Sequence, residues 1–413
     1  MPRPSSLHIS LLVIGFALLG AAPAGAQVLG AVRGLPGAQI PGVGLPGLPS
    51  VAPMPRLDDL LRSTRALTRQ LQIDALRREE PRRVAIDPHG NPVLRGEFLV
   101  MDPTPAQLAA LQAQGFTADT PSPADASLGL NLVVLHDTRG RSEARAMRAL
   151  RQAVPSAAFT YQHLYLPAGD GHAVGENTSA TTPSTAMPRR VGLIDGGVDP
   201  ADPALAHVSM EEHGCATAAI SRHGTAVAAR LVEGDPDTLY AADLWCGDKV
   251  GGTTSNLVDA LAWMAREGVP VINISLVGPD NPVLARAVQA MIARGHVLVA
   301  AVGNDGPAAP PLFPAAYPGV IGVSGVDAHD RVLPESGSGD QVAFCASGLV
   351  GNGRHAMRGT SFASPIVARR AAQLLSAPRQ GAAARVVQRL ASEARDLGAP
   401  GRDPRYGYGL LSP

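Results

Sequence analysis

The chain has 413 residues, 45% of them hydrophobic and 17% charged, with 35 basic and 35 acidic side chains. That length suits two or three domains with a full apolar core. The formal net charge of +0 excludes recognition of nucleic acid or an anionic membrane by an overall field.

The N-terminus sets the compartment. Arg3 is followed by the apolar run Leu11 to Leu19 and then by the small residues Ala24-Gly25-Ala26. This pattern predicts a signal peptide over residues 1–26, with a run too short to span a bilayer. No other stretch is apolar for long enough to cross a membrane. The expected product is therefore secreted, extracellular or periplasmic, and disulfides become possible. Three cysteines, Cys215, Cys246 and Cys345, leave at least one thiol unpaired in a monomer. Three single pairings are open, of which Cys215–Cys246 is the one expected. Cys345 lies in the apolar stretch Val342 to Ala346 and reads as a buried thiol.

Residues 27–94 are read as a Gly/Pro-rich tail followed by a helical linker. Up to residue 55 they show no helical or strand period, and Leu57, Leu60, Leu61, Leu67, Leu71 and Leu76 then recur with a helical one. From 95 to 166 the expected order is strand, helix, strand, helix, strand. Thr104 is placed to cap the first helix and Pro105 to open it, while residues 142–154 form the second. This order predicts a small α+β, ferredoxin-like unit of the split-βαβ kind. Residues 167–188, rich in Gly, Ser, Thr and Pro, read as a flexible connector. From 189 to 413 strand-like runs at 191–194, 239–244, 269–274, 297–302 and 320–323 alternate with helices such as 254–266 and 282–294. That alternation predicts an α/β fold with a doubly wound, mostly parallel sheet.

Three segments carry chemistry. Asp195 directly follows the run Val191 to Ile194, at the carboxyl end where parallel sheets build sites. His223 heads the small-residue helix His223-Gly224-Thr225-Ala226-Val227-Ala228, and Ser361 lies in Gly359-Thr360-Ser361-Phe362-Ala363-Ser364-Pro365. Singly, each could be no more than a cap or a surface group. In the order Asp, His, Ser they match one of the known arrangements of a serine nucleophile with its base and orienting acid. Asn304, in Ala300-Ala301-Val302-Gly303-Asn304-Asp305-Gly306, offers the amide that an oxyanion hole needs.

On these segments, with Leu193-Ile194-Asp195-Gly196-Gly197-Val198-Asp199 and Asn273-Ile274-Ser275-Leu276, residues 189–413 resemble the subtilase family. The resemblance implies a subtilisin-like catalytic domain and a serine endopeptidase acting through an acyl-enzyme. Ser361 would be the nucleophile, His223 the general base, Asp195 its orienting acid and Asn304 an oxyanion donor. It further implies that residues 95–166 are an inhibitory propeptide, and that polypeptide substrates are bound along Ser275, Leu276, Val277, Gly278, Val302, Gly303 and Leu312. A monomer without cofactor or metal is expected, with no nucleic-acid partner and no membrane span once the signal is removed.

The sequence departs from the family in two respects. The chain passes from Leu231 to Leu239 by a short turn where relatives carry a longer, often calcium-binding loop. Asp235 and Asp237 there read as turn residues. Val277 and Leu312 stand where relatives have glycine beside the first specificity pocket, and both would fill it. The alternative function is a catalytically silent, peptide-binding homologue. An esterase would need Gly-x-Ser-x-Gly, and a nucleotide-binding module GxGxxG after the first strand; neither is present.

Overall fold

The computed structural model describes residues 69–120, 127–168, 188–216, 219–233, 235, 237–351 and 356–412. The expected signal peptide, the Gly/Pro tail and most of the connector lie outside the described residues.

A helix over 69–79 precedes a five-stranded antiparallel sheet. Its strands are β1 (Val84–Ile86), β2 (Pro92–Met101), β3 (Phe116–Ala118), β4 (Leu132–Asp137) and β5 (Phe159–His163). Central β2 pairs with β1, β4 and β5, and β3 pairs with β4. Helices α1 (Pro105–Ala113) and α2 (Glu143–Ala153) complete the β-α-β-β-α-β order of a ferredoxin-like sandwich. Thr104 caps α1 as its sequence indicates. Its Oγ1 accepts from Gln107 N, and the Gln107 side chain accepts from Thr104 N in a reciprocal capping box. The sheet begins about ten residues earlier than the sequence suggests, because β1 forms a hairpin with β2 through residues read as linker.

The two faces of this sheet have different partners, as the period of two along a strand requires. Phe98 and Val100 of β2 face α1 and α2. Leu99, between them, joins Leu130 and Leu132 against Leu257, Leu261 and Val288 of the second unit.

That second unit is a seven-stranded parallel sheet in the order β14-β13-β12-β10-β7-β9-β8. The strands are β7 (Arg190–Asp195), β8 (Ser209–His213), β9 (Thr238–Asp243), β10 (Val271–Ile274), β12 (Val297–Ala301), β13 (Ile321–Val326) and β14 (Val342–Ser347). Between them, β6 (Leu166–Pro167) and β11 (Leu276–Val277) form a separate antiparallel pair. Helices α4 (Thr254–Arg266) and α5 (Pro282–Ala293) cover one face of the parallel sheet. The other is covered by α3 (Arg222–Val232), α6 (Ser364–Ala372) and α7 (Ala382–Glu393). Side chains alternate between these cores: Val297 and Val299 enter one, Leu298 and Ala300 the other. The sheet is doubly wound, and its strand order reverses beside central β7, which ends on Asp195.

Candidate active site

The site is assembled from the ends of elements. Asp195 closes β7, whose buried neighbours on either side fix where it stops. Its Oδ1 accepts from Gly196 N at 2.6 Å and lies 2.9 Å from His223 Nδ1. His223 occupies the first turn of α3. Ser221 caps that helix, its Oγ accepting from Gly224 N at 3.2 Å. Gly224 permits the approach of this helix to the Asp195 turn, since a Cβ there would overlap the Gly196 carbonyl. On its far side the His223 ring lies 5.2 Å, centroid to centroid, from Phe362. Its Nε2 is 2.9 Å from Ser361 Oγ. Ser361 stands in the short 3-10 turn Thr360–Phe362, which leads into α6, with Pro365 in the first turn of that helix.

Asn304 follows β12, with its amide fixed at one end. Its Oδ1 accepts from Thr360 N at 3.0 Å, which fixes the direction of Nδ2. Thr360 Oγ1 in turn accepts from Gly303 N at 3.2 Å. One residue therefore ties the Asn304 loop to the serine turn, a role that sequence reading missed. Motif spacing gives no sign of it, because the bond to Asn304 comes from the backbone.

The cleft is occupied by the chain itself. After β5 the backbone continues extended. Tyr165 N donates to Gly252 O at 2.8 Å, β6 pairs with β11 in the register Leu276↔Pro167 and Val277↔Leu166, and Ala168 N donates to Ser275 O at 3.0 Å. The Ala168 carbonyl then receives two donors, Asn304 Nδ2 at 2.5 Å and Ser361 N at 3.2 Å. Under this cover Ser361 is 0% exposed and His223 5%.

The residues expected to bind substrate lie along this segment, with one exception. Leu276 and Val277 pair with it, and Ser275 holds Ala168 through its carbonyl. Ser275 also donates from Oγ to Ser361 O at 3.3 Å. Gly278 lies beneath the Tyr165 ring. Ala168 packs with Val277, Ala301 and Leu312 in a closed apolar cluster. A Cβ on Gly303 would lie 2.6 Å from Leu312 Cδ1, so Leu312 fills the space that Gly303 leaves. Val302 points elsewhere, into the core with Ala315 and Tyr317, because successive side chains at the end of β12 alternate. Ala301 takes the place expected of it.

Around the site, Cys215 and Cys246 form a disulfide, and Cys345 is buried and free. Burial pushes the Cys345 thiol up to about 12. Asp235 and Asp237 both bind Arg189, just before β7, and Asp235 also accepts from Arg369 at 3.0 Å. Burial raises the Asp235 carboxyl, but the two arginines outweigh it and hold it below its ordinary value. Among the described residues, Cys215, Asp243 and Cys246 come close enough together to hold a metal ion, but both sulfurs are spent in the disulfide.

A profile of the Subtilase family matches residues 189–409. The chain is 32% identical over 251 residues to subtilisin DY of Bacillus licheniformis, covering 54% of this chain and 88% of that one. It is 34% identical over 223 residues to the thermophilic serine proteinase of Bacillus sp. (strain AK1), covering 52% of this chain and 53% of the relative. In fold it resembles fervidolysin from Fervidobacterium pennivorans, a keratinolytic enzyme related to subtilisin. That likeness has a TM-score of 0.60 at 18% identity, over 78% of this chain and 60% of that one.

Proposed function

The chain belongs to the Subtilase family and is a subtilisin-like serine protease, and we propose that it is an exported endopeptidase inhibited by its own residues 84–168 until it cuts after Ala168. One observation carries this reading. The Ala168 carbonyl stands between Asn304 Nδ2 and Ser361 N while Ser361 Oγ is 2.9 Å from His223 Nε2, the placement of a carbonyl about to be attacked.

In the reaction, Ser361 Oγ gives its proton to His223 Nε2 and bonds to the carbonyl carbon. Asp195 keeps the imidazole oriented and stabilises its cation without taking the proton. Asn304 Nδ2 and Ser361 N receive the negative charge that forms on the carbonyl oxygen. His223 returns the proton to the departing amine, leaving an ester on Ser361. Water, deprotonated by His223, then hydrolyses that ester and regenerates the hydroxyl. For the precursor the departing amine is that of Gly169. The antiparallel pairing of β6 with β11 supports inhibition by strand addition: main-chain bonds hold the tail in the cleft whatever its sequence. Export is supported by the N-terminal residues 1–26 and by the disulfide. No helix among the described residues is long and apolar enough to cross a membrane.

The test is labelling by a serine-directed fluorophosphonate together with a casein assay. Wild type should react in both and folded Ser361→Ala in neither. Labelling of the folded variant would overturn the assignment.

A further inference from the structure

We propose that reduction of the Cys215–Cys246 bridge converts it, together with Asp243, into a binding site for zinc, so that a metal ion takes over the cross-link that the disulfide makes.

The bridge joins two loops that the sheet brings side by side. Cys215 follows β8 and Cys246 follows β9, its parallel neighbour. Their Cα atoms are 5.4 Å apart, a separation at which two thiolates reach one ion by side-chain rotation alone. Asp243, the last residue of β9, completes the group. One oxygen of its carboxylate and both sulfurs lie within 4.8 Å of one another.

The carboxylate itself points to a cation. Asp243 is 8% exposed. Its Oδ1 accepts from Trp245 N at 2.9 Å and from Cys246 N at 3.1 Å, which fixes the side chain. Its Oδ2 is buried with no hydrogen-bond partner. A carboxylate oxygen in that position is destabilising, and a bound cation removes the penalty. Oδ2 lies against Gly197, where a Cβ would come within 2.9 Å of it. Both residues line a cavity of about 30 Å³ with Glu212, His213 and Cys215. That space suits a single ion or water. These features are independent of the state of the sulfurs.

Two thiolates and one carboxylate select zinc over calcium or magnesium, and water in the cavity supplies the fourth ligand. The sulfurs are freed by a small dithiol. Cys246 is exposed, so one thiolate of the dithiol attacks its sulfur and the Cys215 sulfur leaves. The second thiolate of the dithiol then closes its own disulfide and releases Cys246. Two electrons and two protons have passed from the dithiol to the cysteines. Zinc displaces those two protons when it binds, and reoxidation of the pair to the disulfide expels the ion.

The experiment uses the Ser361→Ala precursor, to exclude self-digestion. It is reduced with dithiothreitol, freed of reductant under argon, exposed to zinc sulfate and desalted. The reduced chain should retain about one zinc per molecule by elemental analysis, and the oxidised chain less than about a tenth of that. Bound zinc should slow alkylation of Cys215 and Cys246 by iodoacetamide by roughly tenfold or more. It should also restore about half or more of the urea midpoint lost on reduction. Asp243→Asn should weaken zinc binding by about tenfold or more. Cobalt in place of zinc should give a thiolate-to-metal charge-transfer band, a readout that needs no substitution at the site. Equal zinc in the reduced and oxidised chains, or less than about a tenth of an equivalent in a reduced chain that keeps its circular dichroism, would overturn the proposal. So would cobalt bound without the charge-transfer band, or unfolding on reduction that zinc does not reverse.

Discussion

The proposed role of Asn304 as an oxyanion donor requires its amide to point one way, and Thr360 N, 3.0 Å from Oδ1, sets that direction. Asn304→Ala should lower kcat by roughly a hundred- to a thousandfold and leave KM nearly unchanged, because the bond strengthens as charge develops. Steady-state kinetics on one peptide separates the two parameters. Leu312 acts through volume: Leu312→Gly should raise kcat/KM for phenylalanine at the attacked residue by about tenfold or more, read on a peptide p-nitroanilide that ends in phenylalanine. Cys345, with its thiol pushed up to about 12 by burial, should resist iodoacetamide at pH 8 in the native protein and react on unfolding, as mass spectrometry would show. At this scale much was legible in the sequence. Asp195, His223, Ser361 and Asn304 each sit at the edge of a buried strand or a small-residue helix, so local pattern marks them. Ala168 was not legible as a cleft residue. It is an ordinary side chain beside a Gly- and Pro-rich stretch, and its importance arises only when β6 pairs with β11.

Elements were legible in proportion to their length and burial. Helix α4 matches its expected bounds, and β7, β9, β10, β12 and β13 lie within about three residues of theirs. Among the missed strands, β14 is six residues long and mostly buried and was read only as an apolar stretch, while the others lack the signals on which a strand is recognised. β1 and β3 have three residues each, too few for a period of two, and β8 is a largely exposed edge strand, Ser209-Met210-Glu211-Glu212-His213. The Cys215–Cys246 disulfide acts at the same scale. It closes a segment with a sequence separation of 31 that contains all of α3, the helix carrying His223, together with β9, which pairs with the Asp195 strand. Replacing both cysteines with serine should destabilise the protein by about 3–4 kcal/mol through the greater freedom of the unfolded chain. Urea unfolding of the inactive Ser361→Ala background measures this without self-digestion.

At the scale of the whole molecule, the proposed function requires one chain to carry both an active site and a substrate-like segment that fills it. The N-terminal unit, residues 84–168, is docked through Leu99, Leu130 and Leu132 and through a buried polar link. In that link His163 Nε2 lies 3.2 Å from Asp87 Oδ2, and Nδ1 2.9 Å from Asn281 Nδ2 at the cap of α5. Burial raises the Asp87 carboxyl, but hydrogen bonds from His163, from Asn91 and from His89 N outweigh it and hold it at about 2. An ordinary aspartate titrates near 3.9. The stabilisation is therefore complete above about pH 4 and is lost as pH falls toward about 2. In the Ser361→Ala precursor, Asp87→Asn should lower the urea midpoint at pH 7, and its difference from the parent should shrink between about pH 4 and about 2. Self-processing after Ala168 is tested most directly by the N-terminal sequence of the mature protein exported from a host without other extracellular proteases, with Ser361→Ala expressed alongside. The wild-type product should begin at Gly169, and in the variant residues 84–168 should remain covalently attached. A wild-type product starting well beyond Gly169, or a Ser361→Ala chain cut at the same bond, would contradict it.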